Sequence, residues 1–259
     1  MPETENSSFS ILVYGDSLGL PRVASKIGCE HTYAELIRGW YETSDLKPKV
    51  FLFNRSQGGA DIQTLFNGFN TDSTYFGKAK WILIVQCGIV DCAPRPIPPW
   101  VKYRIVARLP GPLRDRIISF LHNNRAKIFR LGLKWYSTSP EKFKTIYAKW
   151  LSLAAKEFDR VYAVNIFPTT EKIERHSPGL TVSIDYYNSL IQEAVAAVDA
   201  ENIIFIDAND KVRRSNRIED FIDEEDGHHL TKEGHRLLNE LIIHHEQSFL
   251  RMENDRIKV

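Results

Sequence analysis

The segment most informative about architecture reads Ile11-Leu12-Val13-Tyr14-Gly15-Asp16-Ser17-Leu18-Gly19. Its first four residues form a short apolar run, which is typical of a buried β-strand. The run ends directly in a turn that holds Ser17 between two glycines, and glycines allow a chain to turn sharply. Loops at the carboxyl ends of parallel strands form the binding crevice of a sheet, so this turn predicts a serine hydroxyl presented there. The other explanation is that Ser17 caps the helix that follows.

Four more short apolar runs follow the first, with helical patterns between them. We therefore predict five strands, at residues 11–14, 50–53, 81–86, 161–166 and 203–206. Helical periodicity is clearest at residues 31–41, 141–157, 186–198 and 232–249. Strands that alternate with helices in this way indicate an α/β fold, with a parallel sheet covered by helices on both faces.

The composition is that of a soluble globular protein. The chain has 259 residues, of which 43% are hydrophobic, and 34 Lys and Arg against 33 Asp and Glu give a formal charge of +1. The three cysteines form no CxxC pair and no Cys/His cluster at metal spacing, so neither a disulfide framework nor a metal site is expected. The acidic N-terminal residues and the short apolar run after them do not resemble a signal peptide, and we expect a cytoplasmic location.

Residues 94–137 interrupt the alternating pattern. We predict that they form an insertion, or lid, after the third strand of a single domain spanning residues 1–259. Prolines at positions 94, 96, 98 and 99 predict an extended loop over residues 94–100, and a helix is expected at residues 113–129.

The insertion is strongly basic. Between positions 95 and 134, ten Lys or Arg residues stand against the single acid Asp115, a net charge near +9. Aromatic residues are interleaved with these cations. The pattern fits a solvated face, a lid that recognises an anionic substrate, or peripheral contact with an anionic membrane, the last of which is not favoured. Nucleic acid is disfavoured because no recognition motif accompanies the charge.

A second polar motif lies near the other end of the chain, Asp226-Gly227-His228-His229-Leu230. A carboxylate three residues before a histidine can accept a hydrogen bond from the near ring nitrogen and leave the far nitrogen free as a general base. A loop that caps the following helix is the alternative. A serine after the first strand, in the chain order Ser, Asp, His, favours a catalytic triad.

These motifs together resemble the SGNH (GDSL-type) hydrolase family over essentially the whole chain. The resemblance implies a three-layer α/β/α sandwich with a five-stranded parallel sheet, which is flavodoxin-like. It implies Ser17 as the nucleophile, whose backbone N–H is also an oxyanion donor. It further implies His229 as the base and Asp226 as its orienting partner, since the family's three-residue spacing selects His229 over His228.

Two more family blocks would complete the oxyanion hole. The stretch 54–60 is similar to the family's Asn-x-x-x-x-Gly pattern and implies the backbone N–H of Gly59 as the second donor, with Gly58 a weaker substitute. The third block departs from the pattern, because the family has Gly-x-Asn-Asp where this chain reads Gly88-Ile89-Val90-Asp91. Val90 has no polar side chain, so the third oxyanion donor is missing.

Two nearby side chains are candidates to replace the missing donor. Arg95 follows the block by a few residues and also suits a salt bridge or a substrate contact, while Gln86 also suits a buried position at the end of its strand. We treat Val90, Asp91 and Arg95 as candidate substrate-binding residues.

The expected function is that of a serine-dependent carboxylic ester hydrolase, an esterase or a carbohydrate O-deacetylase, that uses no metal or organic cofactor. The expected substrate is a small-molecule or glycan ester, and the basic insertion would suit an anionic one. An acyltransferase with the same triad is one alternative. A weakly active or non-catalytic ligand-binding protein is another, motivated by Val90. The sequence does not indicate an oligomeric state.

Overall fold

The computed structural model describes residues 8–44, 49–76 and 81–257. A five-stranded sheet lies at its centre, and every strand pair in it is parallel. The strands are β1 (Ser8–Gly15), β2 (Lys49–Asn54), β3 (Trp81–Gln86), β4 (Arg160–Val164) and β5 (Ile203–Ile206). Their order across the sheet is β2-β1-β3-β4-β5. This order is flavodoxin-like, and the predicted fold class is confirmed.

Helices cover both faces of the sheet. They are α1 (Tyr33–Thr43), α2 (Ile62–Phe76), α3 (Ile89–Cys92), α4 (Pro99–Arg104), α5 (Gly111–Asn123), α6 (Arg125–Arg130), α7 (Pro140–Glu157), α8 (Glu171–His176), α9 (Leu180–Val198), α10 (Ala208–Arg214), α11 (Ile218–Phe221) and α12 (Lys232–Ile257). One layer is built on the pair α1 and α12, and the other on α2, α7 and α9. None of the described helices combines the length and apolarity that crossing a bilayer requires.

The core is continuous from the central strands into the α2–α7–α9 layer. Strand β4 is buried along its whole length, whereas the edge strand β2 is partly exposed. The Trp150 ring on α7 packs edge-on against Tyr14 of β1, with ring centroids 5.6 Å apart. Because Tyr14 is three residues before Ser17, this packing fixes the end of β1 from which the serine turn starts.

A buried polar cluster joins α12 to the sheet. The Glu246 carboxylate is fully buried and accepts a hydrogen bond from Arg160 Nε of β4 at 2.7 Å. It also accepts hydrogen bonds from the hydroxyls of Tyr41 on α1 and Tyr162 on β4. The Arg160 guanidinium lies 4.2 Å from the centroid of the Phe249 ring. One carboxylate of α12 therefore satisfies three polar side chains from two other elements, α1 and β4, inside the core.

Some predicted boundaries were wrong, for local reasons. The predicted helix at residues 113–129 is two helices, α5 and α6, which break at Asn124. The Asn124 side chain donates to the Phe120 carbonyl at 2.9 Å, and asparagine often competes with the helix backbone in this way. The loop predicted over residues 94–100 ends earlier, because Pro99 takes the first position of α4, where a missing N–H is tolerated. The predicted strand at 161–166 ends at Val164.

A two-residue bridge joins the two ends of the predicted insertion. Arg95 and Trp135 form an isolated antiparallel bridge, in which the Arg95 N–H donates to the Trp135 carbonyl at 2.7 Å and the reverse bond is 3.1 Å long. Helices α4, α5 and α6 lie between these two residues. The bridge thus closes the base of the insertion a few residues after α3.

Candidate active site

The candidate site lies at the carboxyl edge of the sheet, between β1 and β3, where the strand order reverses. A short 3₁₀ turn, Ser17–Gly19, follows β1 directly. The Asp16 carboxylate caps this turn by accepting a hydrogen bond from the Leu18 N–H at 3.0 Å. Asp16 therefore takes the capping role that was the alternative explanation for Ser17, and the Ser17 hydroxyl is available for another partner.

Ser17, His229 and Asp226 form a chain of hydrogen bonds. Ser17 Oγ lies 2.9 Å from His229 Nε2, and His229 Nδ1 lies 2.9 Å from Asp226 Oδ2. A carboxylate beside Nδ1 favours the tautomer with the proton on that nitrogen. The Nε2 lone pair is then free to accept the serine proton. The neighbouring His228 ring points elsewhere, with its Nδ1 3.1 Å from the Asp226 carbonyl oxygen.

The Asp226 carboxylate is held in its charged form. Burial alone would raise its pKa, but hydrogen bonds from His229 and His228 hold the pKa well below its usual range. Oδ1 accepts from the backbone N–H groups of both histidines, each at 3.0 Å. The Arg22 guanidinium adds an ion pair to Oδ2. A stable negative charge is what an orienting carboxylate in a triad requires.

Arg22 was missed by the sequence analysis. It lies 204 positions before Asp226 in the chain and belongs to no motif, so no short-range pattern indicates the contact. The loop that carries Arg22 also packs on the segment before the triad histidine, because Ser25 Oγ donates to Asp223 Oδ2 at 2.6 Å. The nucleophile loop and the histidine loop are thus joined at two points.

Ser17 and Gly59 are the two residues whose backbone N–H groups were predicted to bind the oxyanion. Both residues line the pocket of the site, and within the described residues neither N–H donates to a protein acceptor. Gly59 has φ of +73°, a left-handed conformation that favours glycine. Asn54 links the two loops, because its Nδ2 donates to the Gly19 carbonyl at 2.9 Å and its Oδ1 accepts from the Ser56 N–H at 3.0 Å.

The pocket around the serine has a volume of about 380 Å³. That volume falls within the range of small-ligand sites. Val90 lines the pocket but offers no polar side chain, and Gln86 is fully buried and does not line it. Arg95 lines the pocket, and its guanidinium donates to the Val90 carbonyl at 3.1 Å and to Ser137 Oγ at 2.7 Å. Of the two candidates to replace the oxyanion donor, only Arg95 therefore borders the site.

The assignment of Asp91 to substrate binding needs correction. Its side chain is fully buried and does not line the pocket. Both carboxylate oxygens accept from the N–H of Ile62, the first residue of α2, at 3.2 and 3.1 Å. Since α3 begins at Ile89, the helical turn directs Asp91 into the core while Val90 faces the site. Asp91 therefore caps α2.

The buried Asp91 gives a pH-dependent stability prediction. Burial, reinforced by the nearby charges of Asp61 and Asp16, raises the pKa of Asp91 to about 7. The folded-state pKa of Asp91 is therefore higher than its unfolded-state pKa of about 4. The free energy of unfolding is highest below pH ~4, where Asp91 is neutral in both states, and it falls as the pH rises through 7, where Asp91 ionises inside the fold. Asp91→Asn stays neutral and can still accept from Ile62. We expect its Tm to exceed that of the wild type by roughly 4 °C at pH 8.5, with a smaller gain at pH 5.

Thermal unfolding followed by circular dichroism at several pH values would test this prediction. Asp159→Asn, at an exposed position, is the matched control and should give the same small Tm change at every pH. A Tm difference between wild type and Asp91→Asn that does not grow with pH would contradict the prediction.

One group of side chains in the described residues has the arrangement of metal ligands, and it shares Asp226 and His229 with the candidate triad. Asp226, His228 and His229 place ligand atoms within 4.8 Å of one another. The atoms of Asp226 and His229 that could bind a metal already form the hydrogen bonds toward Ser17. Metal-free chemistry remains our prediction for this site.

The fold was compared with those of known proteins. No protein-family model and no curated protein matches the chain. Solved structures do match. An α/β hydrolase from the metagenome of Lake Arreo, Spain, matches with a TM-score of 0.59 at 13% identity. The alignment covers 90% of this chain and 93% of the hydrolase. A member of the lipolytic G-D-S-L family from Veillonella parvula has a TM-score of 0.57 at 13% identity, with 92% and 97% covered. An acetylxylan esterase from Geobacillus stearothermophilus has a TM-score of 0.60 at 11% identity, with 92% and 95% covered.

These likenesses show that the chain has the fold of the SGNH (GDSL-type) hydrolases, as its motifs indicated. The match extends over nine-tenths of the chain or more. A shared fold does not by itself carry an activity, and the chemistry must be argued from the site.

Proposed function

We propose that the chain is a serine-dependent carboxylic ester hydrolase. The observation that carries the proposal is the hydrogen-bonded chain Ser17–His229–Asp226, with two contacts of 2.9 Å that open onto a pocket. A serine hydroxyl is a weak nucleophile unless a neighbouring base accepts its proton. The same three groups are joined here in that functional order.

In the first half of the reaction, Ser17 Oγ attacks the ester carbonyl carbon while His229 Nε2 accepts the hydroxyl proton. The N–H groups of Ser17 and Gly59 donate to the oxyanion of the tetrahedral intermediate. The intermediate collapses as the C–O bond breaks, and His229 returns its proton to the leaving alkoxide. In the second half, His229 takes a proton from water as the water oxygen attacks the acyl-serine carbonyl. The second tetrahedral intermediate collapses as its bond to Ser17 Oγ breaks, and His229 returns the proton to Ser17 Oγ, which releases the carboxylic acid and restores the free serine.

The substrate we propose is a small-molecule or glycan ester. The pocket, of about 380 Å³, is large enough for a sugar-sized group. One structural neighbour is described as an acetylxylan esterase and another as a lipase/acylhydrolase. An O-acetyl or other short O-acyl group is therefore the first class of substrate to test.

Covalent labelling is the experiment that tests the proposal. A fluorophosphonate probe should add to Ser17, with the modified peptide identified by mass spectrometry, and wild-type protein should turn over p-nitrophenyl acetate. Ser56, a serine on the neighbouring loop, serves as the matched control, because Ser56→Ala should still be labelled whereas Ser17→Ala should not. Absence of both labelling and turnover would leave the alternative, a ligand-binding protein on a hydrolase fold.

The departure at Val90 gives a second prediction about the site. Asparagine at this position would face the pocket and could supply the third oxyanion donor, and we expect Val90→Asn to raise kcat/KM for p-nitrophenyl acetate about tenfold. Val90→Leu has a similar shape without a donor and should not raise it. Equal activity of the two variants would mean that another group, with Arg95 the nearest candidate, already serves the oxyanion.

A further inference from the structure

A second pocket lies inside the insertion and adjoins the site. Its volume is about 210 Å³, and its apolar wall includes Ile97, Val106 and Leu121. Arg95 and Arg125 line both this pocket and the one that contains Ser17. The two guanidinium groups therefore stand at the junction between the reacting centre and an apolar compartment.

Neither arginine pairs with a carboxylate of the residues that the structure describes. Among the described ion pairs, none includes Arg95 or Arg125. Arg95 donates to Ser137 Oγ and the Val90 carbonyl, and one Arg125 nitrogen donates to the Pro94 carbonyl at 2.7 Å. The Arg125 Nε–H is buried and has no hydrogen-bond partner. Burial, together with the charge of Arg95, lowers the pKa of Arg125.

Two histidines lie beside the insertion pocket. His122 lines the insertion pocket, and its ring lies 4.7 Å from that of His176, whose Nε2 is buried without a partner. No acidic residue lines either pocket within the part of the chain that the structure describes. Two partly buried guanidinium groups that line the same pocket repel each other, and an anion between them would remove that repulsion.

We propose that the substrate is an anionic ester whose negative group, a phosphate or a carboxylate, binds between Arg95 and Arg125. An adjoining apolar part of the same molecule would lie in the insertion pocket. That the bound molecule is a substrate rests on the proposed ester hydrolysis, whereas the evidence for the anion site comes from Arg95 and Arg125. The basic insertion would then select esters that carry both a negative charge and an adjoining apolar group.

Guanidinium chemistry supports this choice of ligand. An arginine presents several N–H donors in a planar fork that matches the oxygens of phosphate and carboxylate groups, and such charge-assisted bonds are the stronger ones. A partly buried pair is also screened less by salt than surface charges are. A neutral ester would leave the unpaired Arg125 Nε–H without an acceptor, which disfavours it.

Binding of phenyl phosphate, measured by isothermal titration calorimetry, tests the proposal without relying on catalysis. Phenyl phosphate joins an anion to an apolar ring, inorganic phosphate carries the anion alone, and benzyl alcohol carries the ring alone. We expect wild-type protein to bind phenyl phosphate most tightly of the three. Arg125→Gln should weaken that binding about tenfold or more, and Arg125→Lys, which keeps the charge, by less. Arg116→Gln, an equal charge change at an exposed position of the insertion, should leave it within about twofold.

Three results would overturn the inference. The first is no measurable binding of phenyl phosphate, and the second is equal weakening of binding by Arg125→Gln and Arg116→Gln. The third is inorganic phosphate bound as tightly as phenyl phosphate, which would show that the insertion pocket does not bind the apolar part of the ligand. Phenyl phosphate should also inhibit p-nitrophenyl acetate turnover competitively. If Ser17 is labelled but Arg125 does not affect binding, the inference alone fails. If Arg125-dependent binding is found without labelling of Ser17, the proposed hydrolysis fails and the anion site stands.

Discussion

Replacing His229 with alanine is expected to lower kcat for p-nitrophenyl acetate by about 10⁴- to 10⁶-fold. Ser17 Oγ would lose the group, 2.9 Å away, that accepts its proton, and the leaving alkoxide would lose its proton donor. Ser17→Ala should cause a similar loss. Because nucleophile and base act in one step, the Ser17→Ala/His229→Ala double variant should be little slower than either single variant.

The neighbouring histidine provides the matched control for this prediction. His228 lies next to His229 and shares its pocket, but its ring nitrogen contacts the Asp226 carbonyl and not Ser17. We therefore expect His228→Ala to change kcat by less than about tenfold. Rates should be measured on protein whose fold has been checked by circular dichroism. A loss in His228→Ala as large as that in His229→Ala would show that the base has been assigned to the wrong histidine.

The elements that sequence reasoning located best are those defined by local patterns. Strands β3 and β5 were predicted with the bounds that the structure gives, and α7 begins at a proline after the capping Ser139. Ser17 and His229, which lie within hydrogen-bond distance of each other, were predicted as a pair because glycines and a three-residue spacing mark their loops. In both cases the signal lies within a few residues of the feature that it indicates.

The features that were missed or misassigned depend on contacts far apart in the chain or on the direction of one side chain. Arg22 pairs with Asp226 across 204 positions, and the Arg95–Arg125 junction requires the insertion to fold back onto α3. Asp91 was assigned to the pocket from its place in a motif. The short helix α3 instead turns it toward α2, and only the three-dimensional path of that turn shows which of Val90 and Asp91 faces the site.

The cluster around Glu246 is expected to dominate the stability of the α12 layer. Glu246→Gln keeps the size of the side chain but removes its charge, which leaves the buried Arg160 guanidinium without a counter-ion. Breaking a buried ion pair on one side typically costs about 3–5 kcal/mol of unfolding free energy. We expect a loss of that order in urea unfolding, seen as a lower midpoint with an unchanged slope. Glu240→Gln, at an exposed position of the same helix, should change the free energy by less than about 0.5 kcal/mol.

A second substitution separates the ion pair from the packing around it. In the Arg160→Met/Glu246→Gln variant the unpaired charge is gone, and the glutamine oxygen can still accept from one of the two tyrosine hydroxyls. The double variant should therefore unfold at a higher urea concentration than Glu246→Gln alone, a sign of direct coupling between the two positions. If removing Arg160 instead adds its own full cost to that of Glu246→Gln, the loss comes from packing or from the tyrosine contacts. The buried charge of Arg160 would then not be the reason that α12 depends on Glu246.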